Sequence, residues 1–543
     1  MDNSKKVLRF GVMIDGFQLK QWQLSVLEQL VQDPANQLVV GIKNEPESSY
    51  DASKISLGYR WIERQLRKLK VLQIVDTSAF FSNNVVENLV PTKKGISNYI
   101  TSVDCERLKT YELDFVIRFG FGIIRGEVLD LPTYGIWSFH HGNPEQYRGG
   151  PPGFWEFLHG IPTNGLILQK LTNELDAGVI LCRGAIKCRS HSFLEHIERL
   201  FTVGIDFPRW VAAAIRNNQP ALFNQKLQQK GPIYKVPSNW KVGLFYLKIA
   251  VAKVNFHKAQ LFQSEIWNSG VANDFNWNSF KVNDISWLPE VKLNEYQADP
   301  FYNSKSKELY LEWYDYHSGK GKIAKRFFNN GNWSNLETVI DDGTHFSYPY
   351  FLEQNGQQYI IPENYEAEEI AIYEKVGSEF QKMGVLINGS WVDGTPYFYN
   401  EKWWLFCSPQ QHSNEELHLF YSDGLKGEYL SHPLNPIKIN VRGARPGGAP
   451  FIDENGRLIR PAQNSTHTYG GSVILQHIQE MTTATYLETE IGEVLPDANS
   501  KYNKGLHTFS KVGGVYVVDG KRFAFNFSHF MRELKRKIKK LIG

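Results

Sequence analysis

A unit of about 50 residues returns along the second half of this chain and constrains its fold more than any other feature. Ala298-Asp299-Pro300-Phe301, Ser347-Tyr348-Pro349-Tyr350-Phe351, Gly394-Thr395-Pro396-Tyr397-Phe398 and Gly448-Ala449-Pro450-Phe451 each precede a turn, and then a strand such as Gln358 to Ile361, Trp403 to Phe406 or Leu458 to Arg460. A fainter fifth copy, His507-Thr508-Phe509, leads to Gly514-Val515-Tyr516-Val517. The four prolines stand 49, 47 and 54 residues apart and His507 follows 57 residues later, a period that suits one blade of a propeller. Beyond about Val291 the helical period disappears, and short runs of Tyr, Phe, Trp and Ile alternate with Gly/Asn turns. An all-β five-bladed propeller over 291–527 is therefore expected.

The first two hundred residues carry a different pattern. Val7 to Ile14 is an apolar run ended by Asp15-Gly16; Trp22, Leu24, Val26, Leu27, Leu30 and Val31 then recur at helical spacing before Leu38 to Ile42. That is β-α-β punctuation. Val71 to Val75, Phe115 to Phe119 and Tyr134 to His140 read as further buried strands, so an α/β, Rossmann-like domain with a mainly parallel sheet is expected over 1–218. Helical spacing from His191 to Asn218 closes at Gln219-Pro220. Residues 219–290, rich in Gln, Asn, Lys and Trp without a clear period, read as a connecting region.

Composition narrows the function classes. With 42% hydrophobic and 14% aromatic residues, the chain is neither disordered nor coiled-coil. Sixty Lys plus Arg against 57 Asp plus Glu leave +3, too even for a chain-wide nucleic-acid footprint. The four cysteines, Cys105, Cys182, Cys188 and Cys407, show neither CxxC spacing nor the density of a disulfide scaffold. No metal ligand set is expected, and the cytosol is the default compartment. The N-terminus lacks the long apolar core of a secretory signal, and Val242 to Val254, interrupted by Lys248 and Lys253, falls short of a bilayer span.

Ser138 and His140 end a strand and point the same way, because successive side chains alternate faces. Open α/β sheets place ligands at the carboxyl ends of strands. Around this strand lie Gly122-Ile123-Ile124, Leu131-Pro132, Gly135, Ser138-Phe139-His140-His141-Gly142, Tyr147-Arg148-Gly149-Gly150-Pro151-Pro152, Gly165-Leu166-Ile167-Leu168-Gln169 and Leu175-Asp176-Ala177-Gly178. In these segments the chain resembles the folate-dependent formyltransferases, including those acting on methionyl-tRNA, glycinamide ribonucleotide and sugar amines. The resemblance is strongest from Phe119 to Leu181 and includes the 36-residue step from His140 to Asp176. It implies 10-formyltetrahydrofolate as formyl donor, His140 as general acid/base and oxyanion partner, and Asp176 as the carboxylate that orients and charges it. Ser138 stands where the family has Asn, a shorter oxyanion donor that calls on a water or His141 to complete the site. The resemblance also sets the donor's pterin against the backbone of Phe121, Gly122 and Ile123. Tyr147 and Arg148 are candidates to meet a sugar or anionic part of the acceptor.

In the propeller region, Asp299, Glu363 and Asp393 are carboxylates close to the repeated motif, Arg445, Arg460 and Gln463 flank its fourth copy, and His507 marks the fifth. Inner strands of a propeller converge on one funnel, so these seven are candidate substrate-binding residues. The region resembles the five-bladed arabinanase/xylosidase-type propellers and, more closely, the propeller-like region of glucosamine inositolphosphorylceramide transferases. Paired carboxylates could hydrolyse a glycosidic bond; Asp299 and Asp393 could equally cap turns, and a funnel that only binds sugar lies between the two. Residues 528–543 form a basic amphipathic tail in which Phe530, Met531, Leu534, Ile538, Leu541 and Ile542 alternate with Arg532, Lys535, Arg536, Lys537, Lys539 and Lys540. Such a helix can lie peripherally on an anionic membrane or dock on the protein. The leading expectation is formyl transfer to the amine of an amino sugar, nucleotide- or lipid-linked, in glycan biosynthesis, with no nucleic-acid partner. The alternative is a propeller glycosidase, glycosyl-transfer enzyme or glycan-binding module beside a degenerate formyltransferase domain.

Overall fold

Parallel β-α-β punctuation produces the expected first layer. The computed structural model describes residues 7–45, 56–174, 178–218 and 227–542, and its contacts divide into two compact units, Met1–Lys253 and Val254–Gly543. In the first, β1 (Leu8–Ile14) runs through α1 (Gln21–Val31) into the parallel β2 (Asn36–Asn44). The strands β3 (Val85–Leu89), β4 (Phe115–Arg118), β5 (Ile136–His140), β6 (Thr163–Lys170) and β7 (Val179–Lys187) complete a seven-stranded sheet of order β7-β6-β5-β4-β1-β2-β3. The pairings from β5 to β3 are parallel, and β6 and β7 are antiparallel. Leu8, Phe10, Val12, Met13 and Ile14 of β1 are all buried, the continuous apolar run of a strand covered on both faces. Phe10, Phe115 and Trp137, on three adjacent strands, stack at 5.3 and 4.0 Å.

Two expectations fail here. Val71 to Val75 is no strand of this sheet: Ile74–Asp76 pairs only with Gln18–Lys20, and Ile74 is 59% exposed. Three residues at the rim cannot bury a face, and β3 holds the sheet position instead. Nor is 219–290 a connector throughout. It contains α2 (Asn239–Phe262), which crosses the division between the units, and β8 (Ser264–Ala272).

Among its described residues the second unit holds five antiparallel sheets of four or five strands, beside a two-stranded ribbon of Asp274–Asn276 with Lys281–Asn283. Four begin in succession with β9 (Glu295–Asn303), β10 (Ser347–Gln354), β11 (Trp391–Tyr399) and β12 (Arg442–Pro446), each continued by later strands in chain order. The fifth draws on both ends of the unit. Here β13 (Phe509–Val512) and β14 (Val515–Ala524) are joined by β8, which pairs with β14 over nine residues from Ser264↔Ala524 to Ala272↔Tyr516. Apolar layers lie between successive sheets: Phe301 with Tyr350 and Leu405, and Phe406 with Leu458 and Ile478.

Candidate functional site

Loops leave one edge of the N-terminal sheet after β1, β4 and β5, where the strand order reverses and α/β folds collect ligands. Asp15, just past β1, braces the second loop: its Oδ1 accepts the Phe121 main-chain N–H at 2.7 Å and Asn44 Nδ2 at 2.9 Å. A Cβ on Gly120 would stand 2.5 Å from the Asp15 nitrogen, so only glycine permits this approach. Phe121 and Gly122 then turn through φ +65° and +56°. Asn98 Nδ2 donates to the Phe121 carbonyl at 2.7 Å, Arg118 Nη1 donates to the Gly122 carbonyl, and Ile123 pairs with Ser97. The three residues expected to face a pterin thus have the Phe121 N–H committed. Each of the first two carbonyls keeps one lone pair for a ring N–H or amino donor, and the Phe121 side chain is fully buried.

His140 closes β5 as expected. Its Nε2 lies 2.9 Å from the Tyr147 carbonyl; a carbonyl only accepts, so Nε2 carries the hydrogen and Nδ1 is the acceptor nitrogen. Ser138, buried two residues back, sits opposite Gln169 of β6, whose Oε1 is buried with no hydrogen-bond partner among the described residues. Asp176 lies outside the described residues. His141 does not complete the site. It packs on Trp22 at 5.2 Å and Phe201 at 4.0 Å, and burial pushes its imidazole down to about 3.

A carboxyl that the sequence reading missed stands nearby. Glu156, on α3 (Phe154–His159), is 3% exposed, and burial pushes it up to about 7. Cβ on Gly142 would meet His140 Nε2 at 3.0 Å and Glu156 Oε1 at 3.6 Å, so imidazole and carboxyl flank that glycine. The available signal was one acidic residue inside the apolar run Phe154-Trp155-Glu156-Phe157-Leu158. Tyr147 and Arg148 are tied down: Tyr147 bonds His159 Nδ1 at 3.0 Å and stacks on Tyr234, while Arg148 Nε donates to the Gly231 carbonyl at 2.6 Å. The same loop borders, at Gly150–Pro152, a cavity of about 1090 Å³ whose walls include Tyr59, Leu66, Phe201 and Tyr234 with Lys20 and Arg67.

In the sheet-rich unit, one backbone device recurs. Register passes from Ala298↔Glu312 to Phe301↔Tyr310, from Ser347↔Glu363 to Tyr350↔Ile361, and from Val392↔Ser408 to Thr395↔Phe406, each time setting two residues against one. The first of each pair is Asp299, Tyr348 or Asp393, at φ +51°, +43° and +52°. These three are therefore the equivalent positions. Pro396 lies two residues past its bulge, and Pro450 lies beyond β12, so the proline spacing misaligned the third and fourth copies.

The first bulge turns Asp299 into a pocket of about 310 Å³ lined also by Glu363, Arg445 and His507 together with Trp267 and Tyr469. Asp393 lies against it, receiving Arg445 Nε at 2.5 Å and Nη2 at 3.2 Å, and Gln463 Nε2 at 2.9 Å. Glu363 Oε2 accepts the Asp393 N–H at 3.2 Å and lies 3.6 Å from Arg445 Nη2. Burial, reinforced by Asp393, pushes the Glu363 carboxyl well up. His507 stacks on Trp267 at 3.8 Å, with Nδ1 2.5 Å from Asp519 Oδ2 and Nε2 3.6 Å from Asp299 Oδ1. Burial alone lowers this imidazole, but Asp519 and Asp299 outweigh it and raise it. The Asp299 carboxyl is pushed up to about 6, by burial first. Asp299, His507 and Asp519 bring ligand atoms within 4.8 Å of one another, a set able to hold a metal ion where the sequence suggested none. Asp519 already accepts the main-chain N–H groups of His507, Thr508 and Asp299. Arg460 is the exception among the seven expected residues. Fully buried, it pairs with Glu488 and donates to the carbonyls of Gly443 and Ala444, away from the pocket.

A formyltransferase-like α/β region precedes a sheet-rich region, and the curated relatives of both regions are transferases. The chain belongs to the family described as "Glucosamine inositolphosphorylceramide transferase 1, N-terminal", whose model matches residues 237–510. It is 30% identical over 250 residues to "Glucosamine inositolphosphorylceramide transferase 1" of Oryza sativa subsp. japonica, covering 42% of this chain and 34% of that protein. It is 33% identical over 95 residues to a methionyl-tRNA formyltransferase of Prochlorococcus marinus, covering 17% of this chain and 27% of that protein. Glycinamide ribonucleotide transformylase 1 from Symbiobacterium toebii, a solved structure, is 17% identical over 42% of this chain and 95% of its own, with a TM-score of 0.29. The chain thus spans about a third of the length of the plant relatives it matches.

Proposed function

We propose that the N-terminal unit transfers a formyl group from 10-formyltetrahydrofolate to the amine of an amino sugar, nucleotide- or lipid-linked. The observation that carries this reading is His140 at the carboxyl end of β5, its Nε2 fixed on the Tyr147 carbonyl so that Nδ1 is left to take a proton. The folate supplies a formyl carbon whose bond to its nitrogen breaks as the amine bonds to it. His140 Nδ1 takes the proton the amine loses and returns it to the folate nitrogen as that nitrogen leaves, and Asp176 orients and charges the imidazole. Ser138 donates toward the oxyanion; one such donor is typically worth ~10²–10³ in rate. The turn at Phe121–Ile123 presents its carbonyls to the pterin. Incubating the purified protein with 10-formyltetrahydrofolate and nucleotide-linked amino sugars should yield tetrahydrofolate and an N-formyl sugar, seen by absorbance and mass. His140→Ala should abolish both. No turnover in the unaltered protein, or turnover that survives His140→Ala, overturns the reading.

The sheet-rich unit fits a five-bladed propeller whose innermost strands, β9 to β13, form a sugar-holding funnel. The closure of the fifth sheet by β8 and the bulge repeated in three sheets support that geometry. Asp299 and Glu363, two buried carboxyls lining one pocket, favour a second reading: glycoside cleavage or transfer in this unit, beside a folate domain that has lost activity. It predicts release of reducing sugar from a glycoside panel that Asp299→Asn abolishes and His140→Ala spares.

A further inference from the structure

The last helix, α4 (Phe527–Ile542), is fastened to the sheet-rich unit along part of its surface only. His529 Nε2 bonds the Gln260 carbonyl at 3.0 Å, Arg532 Nη1 donates to Tyr314 Oη at 3.1 Å, and Lys537 Nζ meets His257 Nδ1 at 3.2 Å, while the buried Glu533 pairs with Arg536 at 2.6 Å within the helix. Phe530 packs against Phe262 at the end of α2 (5.5 Å), Phe525 (6.1 Å) and Phe527 (6.4 Å), and Phe262 meets Phe525 at 6.4 Å. Four rings from three segments make one cluster. Three of them stay largely in water, Phe262 at 47%, Phe525 at 55% and Phe527 at 66% exposure, and Ile538, three turns along the Phe527 face, is exposed as well. Contiguous apolar surface of this kind marks an interaction site rather than scattered chance.

Its surroundings identify the partner. The helix carries six cations, Arg532, Lys535, Arg536, Lys537, Lys539 and Lys540, against the single carboxyl of Glu533. Among the described residues Lys535, Lys539 and Lys540 form no ion pair. We propose that the phenylalanine cluster and the cationic face of α4 form a peripheral docking surface for an anionic lipid bilayer. The rings would enter the boundary between headgroups and acyl chains while the lysines meet the headgroup charge. A second copy of the chain would bring cation against cation. Single-stranded nucleic acid calls for ring faces spaced to receive bases, whereas these rings cover one another. No helix among the described residues is long and apolar enough to cross a membrane, so the contact lies in the plane of the surface.

Co-sedimentation of the full chain with vesicles of phosphatidylcholine alone, and with about one-third phosphatidylserine added, tests this. Binding is expected only to the anionic vesicles and should weaken with salt. Lys535→Glu/Lys539→Glu/Lys540→Glu should lower partitioning on the order of 100-fold, and Phe525→Ser/Phe527→Ser should abolish it even at low salt. Circular dichroism melts checked beside each variant should match the unaltered protein. Failure to sediment with either vesicle, binding that the charge reversal leaves unchanged, tighter binding to a single-stranded oligonucleotide than to vesicles, or a dimer that Phe527→Ser dissolves would each overturn the proposal.

Discussion

Arg460 and Gln463 flank the same motif, and the structure sends them to opposite sides of one strand. Leu458–Asn464 alternates faces. Gln463 reaches Asp393 beside the pocket, so Arg460, an odd number of positions away, must face elsewhere. That parity was legible before any coordinates, whereas the partner, Glu488, was not, because it comes from the next strand but one of the same sheet, across Ser472–Met481. Burial would raise the Glu488 carboxyl, but Arg460 and Lys438 outweigh it and hold it down to about 2. Removing one member of a buried pair strands the other charge, so Arg460→Met should cost about 3–5 kcal/mol in urea unfolding. Because the folded value lies below the ordinary 4.5, the pair stabilises fully above that pH and its contribution is lost as pH falls toward 2. Glu488→Gln should remove this part of the acid limb, and a limb of unchanged slope would refute the assignment.

At the scale of elements, β5 divides its work between neighbours. His140 faces the site, while His141 turns into the packing of Trp22 and Phe201, a division the dipeptide alone could not assign to function and core. Burial holds His141 and His196 down to about 3. Below about 6.5 the unfolded chain binds protons that these folded imidazoles refuse, so the N-terminal unit loses stability as pH falls from 6.5 toward 3. The loss is roughly 2 kcal/mol per histidine at pH 5. His141→Phe should recover about half of it in melts recorded from pH 7 to 5; recovery of none would mean the imidazole is hydrated. The bulges show the limit of sequence reading in the other unit. The motif's period was visible, yet Gly394 occupies the place of Pro300, and only ladder register reveals which residue turns inward.

Across the whole molecule, the division into an α/β part and a sheet-rich part followed from the change of period near Val291, but its position did not. β8 lies in a stretch without periodicity of its own, because the strand that completes its pattern, β14, lies about 250 residues later. A fragment of residues 254–543 should therefore fold cooperatively. One of residues 291–543 should not, since it leaves β14 with an open edge; equal melting of the two would show that β8 is dispensable. The pairing of Ala272 with Tyr516 also orders events during synthesis. The sheet's earliest strand emerges from the ribosome long before its partner and must wait unpaired through most of translation, so a stalled or truncated nascent chain would display that ladder to any other chain within reach.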